Sequence, residues 1–283
     1  MAEPPASHRR RPSNGGRPPV RIVVLVKPVP DTASGGERLR PDDFRLDRAA
    51  VPAVVNANDE YALEAALKLT EAHGGEVAML TMAGPTAPET MRKALAMGAA
   101  SGTLVTDDSL GGSDIVSTTR VLAAALKDLE YDLVFAGADT SDGGGGVVPA
   151  GVAALVGLPY LSYAARIEPN LEKRQVRVHR ISPTGYDVLE APMPALIVAT
   201  QALGEPRYPS LKGIMAARSK TIETTGLPAD AALDGGAPGR DSSTTAVLTT
   251  EAPPPRAATR VIRDPADEAA RQVVAFLAER RII

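Results

Sequence analysis

Val20-Arg21-Ile22-Val23-Val24-Leu25-Val26 decides the fold: a single charged residue stands among β-branched and other apolar ones, without the polar alternation of a half-exposed strand. Such a run is expected of a strand buried on both faces of a parallel sheet. The pattern then repeats. Residues 59–71 place Ala62, Leu63, Ala66 and Leu67 at helical spacing, 77–82 read as a strand, and 88–97 as a helix stopped by Gly98. A strand over 104–106, a helix over 113–129 capped by Ser113, a strand over 133–136 and a helix over 148–156 closed by Gly157 follow. Alternating strands and helices imply right-handed crossovers and an α/β architecture: a mostly parallel, doubly wound sheet covered by helices on both faces.

From Tyr163 the texture changes to strand-like segments at 164–168, 175–181, 186–191 and 195–199, which form or extend a sheet. Residues 223–258 are rich in Gly, Pro, Ala, Thr and Ser and read as a linker, or as an arm lying on another surface. The chain ends in an amphipathic helix over 265–280, with Ala270, Val273, Val274 and Leu277 on one side; it either folds back on its own domain or covers a partner. Residues 1–20, rich in Pro, Arg, Gly and Ser, lack the apolar core of a secretory signal and are expected to be a disordered tail.

At 283 residues and 44% apolar content, the chain is long and apolar enough for a buried core. A formal charge of −3 with 3% aromatic residues argues against a nucleic-acid binder, which needs a basic face and stacking rings. The absence of cysteine excludes thiolate catalysis, iron–sulfur clusters and Cys-ligated zinc, and the scattered His8, His73 and His179 make no metal set. His179 reads as a partly exposed sheet residue. Any redox chemistry must come from a cofactor. No apolar run approaches the roughly 20 residues needed to cross a bilayer, so no direct membrane insertion is expected and a cytoplasmic location is.

Open α/β sheets bind ligands at the carboxyl ends of their strands. Three loops there carry unusual chemistry: residues 27–32, beginning with Lys27; Ala83-Gly84-Pro85; and residues 139–146, where Gly143, Gly144, Gly145 and Gly146 open a helix. Glycines let backbone N–H groups approach a phosphate and a helix N-terminus adds a positive dipole, so the last loop reads as a phosphate cradle or as a plain flexible loop. Lys27 is either a strand terminator or a ligand-facing cation. Asp59 is placed to cap the next helix, with Glu60 and Glu64 favouring its positive end.

The stretch EPRYPSLKGIMAARSK, residues 205–220, joins a rigid turn, an apolar residue and a basic run. Pro206 and Pro209 each fix a backbone angle, presenting Tyr208 and Leu211 on a stiffened loop, with Arg207, Lys212, Arg218 and Lys220 surrounding Leu211. An apolar anchor ringed by charge binds weakly and specifically, since one buried Leu supplies about 1.5–3 kcal/mol. The alternative is a surface loop entering a basic helix.

With this stretch the chain resembles the beta subunit of electron-transfer flavoproteins, whose signature loop has the same order of Glu-Pro-Arg-Tyr, a Leu three residues on and a basic stretch. Further matches are Val26-Lys27-Pro28-Val29-Pro30-Asp31-Thr32, Asn56-Ala57-Asn58-Asp59-Glu60-Tyr61-Ala62-Leu63-Glu64 and Lys93-Ala94-Leu95-Ala96-Met97-Gly98-Ala99, in the family's order. The resemblance implies an adenine nucleotide alpha-hydrolase-like fold over residues 21–222, with the docking loop at 205–220, and an arm and helix over 223–283 embracing an alpha subunit. It implies FAD held mainly by that alpha subunit, and AMP in the beta crevice. Carried over, the AMP contacts are Leu25, Asn56, Asn58, Ala83, Asp142, Gly143, Gly144, Gly145, Gly146, Val147 and Val148, with Lys27 and Gly84 in the same region. The chain departs from the family where Gly145, Gly146 and Val147 replace a hydroxyl or amide and a Gln, leaving backbone donors alone.

Docking of flavin dehydrogenases falls by the same resemblance to Glu205, Pro206, Arg207, Tyr208, Pro209, Leu211, Lys212 and Met215, and a quinone-linked oxidoreductase re-oxidises the FAD. Such a chain is a carrier subunit rather than a stand-alone enzyme. Three other readings stay open: a bifurcating subunit with a second FAD in place of AMP, a universal-stress-like nucleotide sensor, and a paralogue without nucleotide that serves one dehydrogenase.

Overall fold

Val20–Leu25 forms strand β1, and its side chains alternate between two separate cores. Ile22 and Val24 enter one, Val23 and Leu25 the other. This division, seen in a computed structural model that describes residues 19–231, 238–251, 254, 259 and 261–283, runs through the whole sheet. The first core lies under helices α1 (Ala57–His73) and α2 (Ala87–Met97), the second under α3 (Ile115–Lys127) and α4 (Val148–Val156). Burial on both faces is why the strands read as continuous apolar runs. The tail expected over residues 1–20 lies outside the described residues up to 18, and Val20 already belongs to β1.

The sheet has nine strands. β4 (Gly75–Met82), β5 (Ser101–Val105), β6 (Leu133–Gly137) and β10 (Ala195–Ala199) surround β1 in the order β5-β4-β1-β6-β10, all parallel. The strand-rich segment extends this same sheet. β7 (Tyr160–Asn170) pairs parallel with β10, and β8 (Gln175–Ser182) and β9 (Gly185–Pro192) follow antiparallel at the edge. At the other edge Ile222–Thr225, within the stretch that starts the Gly/Pro-rich segment, forms β11 beside β5. β2 (Pro28–Pro30) and β3 (Ala53–Val55) make a small separate antiparallel pair.

Two helix starts differ from the sequence reading. Ser113 does not cap α3: its hydroxyl donates back to the Leu110 carbonyl (2.8 Å), and the Asp114 carboxylate accepts the Ser117 N–H (2.8 Å) instead. Nor does Asp59 cap α1, which begins two residues earlier at Ala57. Asp59 is buried at the ends of β1 and β6, where its Oδ2 accepts the Lys27 N–H (2.8 Å) and the Gly137 backbone also bonds the carboxylate. Gly137 makes this approach possible. A Cβ there would stand 2.7 Å from the Asn58 carbonyl carbon and closer still to Asp59.

The compact unit carrying the sheet runs to Val247, and a second, Leu248–Ile283, holds α6 (Ala266–Glu279). None of the residues of α6 is buried, and Val273 and Val274 on its apolar side are exposed.

The variant Gly137→Ala should lose about 1–3 kcal/mol of stability, because the added methyl would meet both the buried Asp59 carboxylate and the Asn58 backbone; chemical denaturation measures it. Burial pushes the Asp59 carboxyl from 3.8 up to about 7, against the hydrogen bonds from Lys27 and Gly137 and the Lys27 charge. The folded state therefore holds a proton there that the unfolded state releases, so stability falls as pH rises from about 4 to about 7, by a few kcal/mol at most. Thermal melts across that range should show a smaller decline for Asp59→Asn than for the parent. Asp114 and Asp142, both lowered, act only below that window.

Candidate nucleotide crevice and docking surface

Strand order reverses between β1 and β6, since the chain runs from β1 through β4 to β5 on one side and through β6 to β10 on the other. A crevice at the strand ends of such a switch point is where open α/β sheets take ligands. Lys27 follows β1 at this place, and its Nζ reaches Asp142 Oδ1 (2.8 Å) and Thr140 Oγ1 (3.3 Å). Arg48 donates to the other Asp142 oxygen. Burial disfavours the Asp142 charge, yet the Lys27 and Arg48 hydrogen bonds prevail and hold its carboxyl well below the usual range.

Asn56 and Asn58 fasten the neighbouring loop. The Asn56 Nδ2 donates to the Asp139 carbonyl (2.8 Å), its Oδ1 accepts the Ser141 N–H (3.2 Å), and the Asn58 Nδ2 donates to Asp139 Oδ1 (2.6 Å). Gly144 and Gly146 adopt left-handed backbone (φ 58° and 60°), which turns the exposed glycine loop into α4. Gly143 sits beside Lys27: a Cβ there would lie 3.7 Å from Nζ. Gly145 packs on Ile115, Val147 is exposed, and Val148 leans on the second core. Ala83 and Gly84 stand one strand along, at the end of β4, while the Leu25 side chain is buried in the second core. Lys27, Asn56, Asn58, Asp142 and Gly143 are thus brought together. Thr140 lies in the loop 139–146 that the sequence singles out, whereas sequence reading missed Arg48, which carries no periodic or motif signal, and the burial of Asp59, which only its spacing behind Asn56 hints at.

The 205–220 stretch is mounted on two helices. Arg207 turns inward to Glu64 and Glu71 of α1. Arg92 of α2 donates to the Ala217 (2.6 Å) and Lys220 (2.9 Å) carbonyls, and the Lys220 Nζ donates to the Leu95 carbonyl (2.9 Å). The ring of four cations expected around Leu211 is therefore halved: Arg207 and Lys220 serve internal partners, and Lys212 and Arg218 remain exposed. Ser210 caps the short helix α5 (Leu211–Ala217), accepting the Gly213 N–H (3.0 Å). Gly213 lies so close to the Ala96 carbonyl that no side chain fits between α5 and α2. Held this way, α5 turns its apolar residues outward. Tyr208 is 95% exposed, Leu211 78% and Met215 57%, with Ile214 beside them. Pro206 and Pro209 are half-buried, Glu205 exposed.

The model of the electron transfer flavoprotein domain matches residues 43–230. An electron transfer flavoprotein subunit beta from Mycobacterium bovis is 37% identical over 268 residues, 93% of this chain and 99% of that protein. The caffeyl-CoA reductase-Etf complex subunit CarD of Acetobacterium woodii is 35% identical over 267 residues, 93% of this chain and all of that one. Protein FixA of Azorhizobium caulinodans is 39% identical over 210 residues, 72% and 74% of the two chains. Matches of this length, spanning the crevice, the α1 motif and the apolar loop alike, mean that the chain belongs to the electron transfer flavoprotein beta-subunit family.

Proposed function

We propose that this chain is the beta half of a cytoplasmic, heterodimeric electron carrier, supporting an FAD held mainly by an alpha subunit and docking flavin dehydrogenases through α5. The observation that carries the docking role is the exposed apolar group of Tyr208, Leu211, Ile214 and Met215 on an otherwise fixed mount. Four such residues together are unusual on a soluble surface and mark a contact site. A small anchor suits a carrier that must leave one partner to meet the next. A quinone-linked oxidoreductase then takes the electrons onward. FAD supplies the electron chemistry when bound, and the protein tunes it by charge, hydrogen bonding and burial.

Two other surfaces support an alpha partner. The apolar side of α6 is unburied, and on the outer face of the sheet edge Tyr186 (67% exposed) stands opposite Ile181, with Val188 two residues further on. The universal-stress-like reading is not favoured, since the full-length relatives are electron transfer flavoprotein subunits.

The crevice fits an AMP phosphate through backbone rather than side chains. Two left-handed glycines shape a loop at the N-terminus of α4, no side chain of residues 143–146 fills it, and the Lys27 ammonium lies at its rim. Asn56 and Asn58 contribute by holding this loop.

Leu211→Ala should lower kcat/KM for reduction by a flavin dehydrogenase by roughly tenfold to a hundredfold, the equivalent of about 1.5–3 kcal/mol of lost burial, with FAD content unchanged. Stopped-flow reduction of the heterodimer checks this, and unchanged kinetics would defeat the docking role. Quantifying nucleotide released from denatured heterodimer should give one FAD and one AMP. FAD alone would remove the phosphate role of the glycine loop, and two FAD per heterodimer would replace AMP with a second flavin.

A further inference from the structure

The docking loop is tied to α1 through one residue. Arg207 donates from Nε to Glu64 Oε2 (2.7 Å) and from Nη2 to Glu64 Oε1 (3.2 Å), and its backbone N–H also donates to Glu64 Oε2 (3.2 Å). The same Nη2 donates to Glu71 Oε2 (3.0 Å), with Nη1 on the other Glu71 oxygen. Glu64 and Glu71 lie two turns apart on one face of α1, so the guanidinium plane is held along the helix. These bonds, first from Glu71 and then from Glu64, keep Arg207 protonated far above its usual range.

The Glu64 side chain is only 5% exposed, although its neighbours Leu63 and Ala65 to Leu67 belong to the apolar core. Burying a carboxylate there adds little to stability, because well-packed apolar residues commonly replace a buried ion pair without loss. What the pair does supply is direction. A two-pronged Arg–carboxylate contact fixes orientation as well as distance, and here it grips both the side chain and the backbone of the residue before Tyr208.

We propose that Glu64 is a positioning residue for dehydrogenase docking. Acting through Arg207, it holds Tyr208 and Leu211 at a set place and angle, so the partner meets a loop already ordered and the encounter does not bear the entropy of ordering it. Glu64 itself is nearly buried, so it acts through Arg207. The assignment rests on the docking role of residues 205–220.

The test uses the heterodimer, a flavin dehydrogenase shown to reduce the parent, and dithionite, a reductant that needs no docking. Glu64→Gln keeps the size of the side chain and removes its charge. It should raise KM for the dehydrogenase roughly tenfold, equivalent to about 1.4 kcal/mol, with kcat, FAD content and dithionite reduction unchanged. Adding Arg207→Met to Glu64→Gln should raise KM further by no more than the factor that Glu71→Gln gives alone, since the Glu64 contact is already lost and only the Glu71 contact remains to be removed. Glu71→Gln, at an exposed position that does not endanger folding, should raise KM in the same sense by a smaller factor. If Leu211→Ala raises KM while Glu64→Gln does not, the Glu64 assignment is overturned and docking stands. If Leu211→Ala has no effect, the docking role itself fails. Should Glu64→Gln yield no folded heterodimer, an unchanged KM in Glu71→Gln overturns the proposal.

Discussion

Gly137, Asp59 and the backbone of Lys27 meet where α1 crosses the carboxyl ends of β1 and β6, and the rest of the molecule is arranged around that meeting. The helix can come this near only because position 137 has no side chain. Its first turn then carries a buried carboxylate that accepts backbone donors from both strand ends. An unpaired backbone N–H in such a place costs about as much as a lost hydrogen bond, so Asp59 satisfies donors that neither strand could pair. The cost is a charge in an apolar setting, which shows in its raised carboxyl.

From this end α1 serves two surfaces. Its N-terminal residues Asn56 and Asn58 hold the 139–141 loop, and beside it Lys27 and Arg48 neutralise Asp142. Further along, Glu64 and Glu71 hold Arg207. Between them the helix is packed in the core by Ala62, Leu63, Ala66 and Leu67. One rigid element thus carries the Lys27–Asp142 crevice at one end and the 205–220 loop along its length. The stiffness read from Pro206 and Pro209 is reinforced by packing: α2 holds the far end of the stretch through Arg92, Lys220 and the tight approach of Gly213.

Several readings followed from local chemistry and were visible without coordinates. Continuous apolar runs at β1, β6 and β10 announced strands buried on both faces, and Gly98 and Gly157 marked helix ends. Others were hidden by the same locality. Ser101 and Gly102 are poor strand formers, yet they belong to β5, where Gly102 leaves room for the Met91 side chain. Ser113 and Asp114 are both good caps, and only the turn preceding α3 decides between them. In the crevice Lys27, Asn58 and the glycines were legible as a group, whereas Arg48 arrives from a loop with no pattern of its own.

By itself the sequence determined the α/β class, the alternation of strands and helices, and the family. These depend on periodicity, turn residues and motifs, which are properties of neighbours along the chain. Tertiary structure alone decided that Arg207 and Lys220 face inward, that Asp59 is a buried acceptor rather than a cap, and that Asp142 is shared by two cations. A charged side chain reads the same in sequence whether it meets water or a carboxylate; which it meets depends on residues far away in the chain, brought near by the packing of α1 and α2 on the sheet.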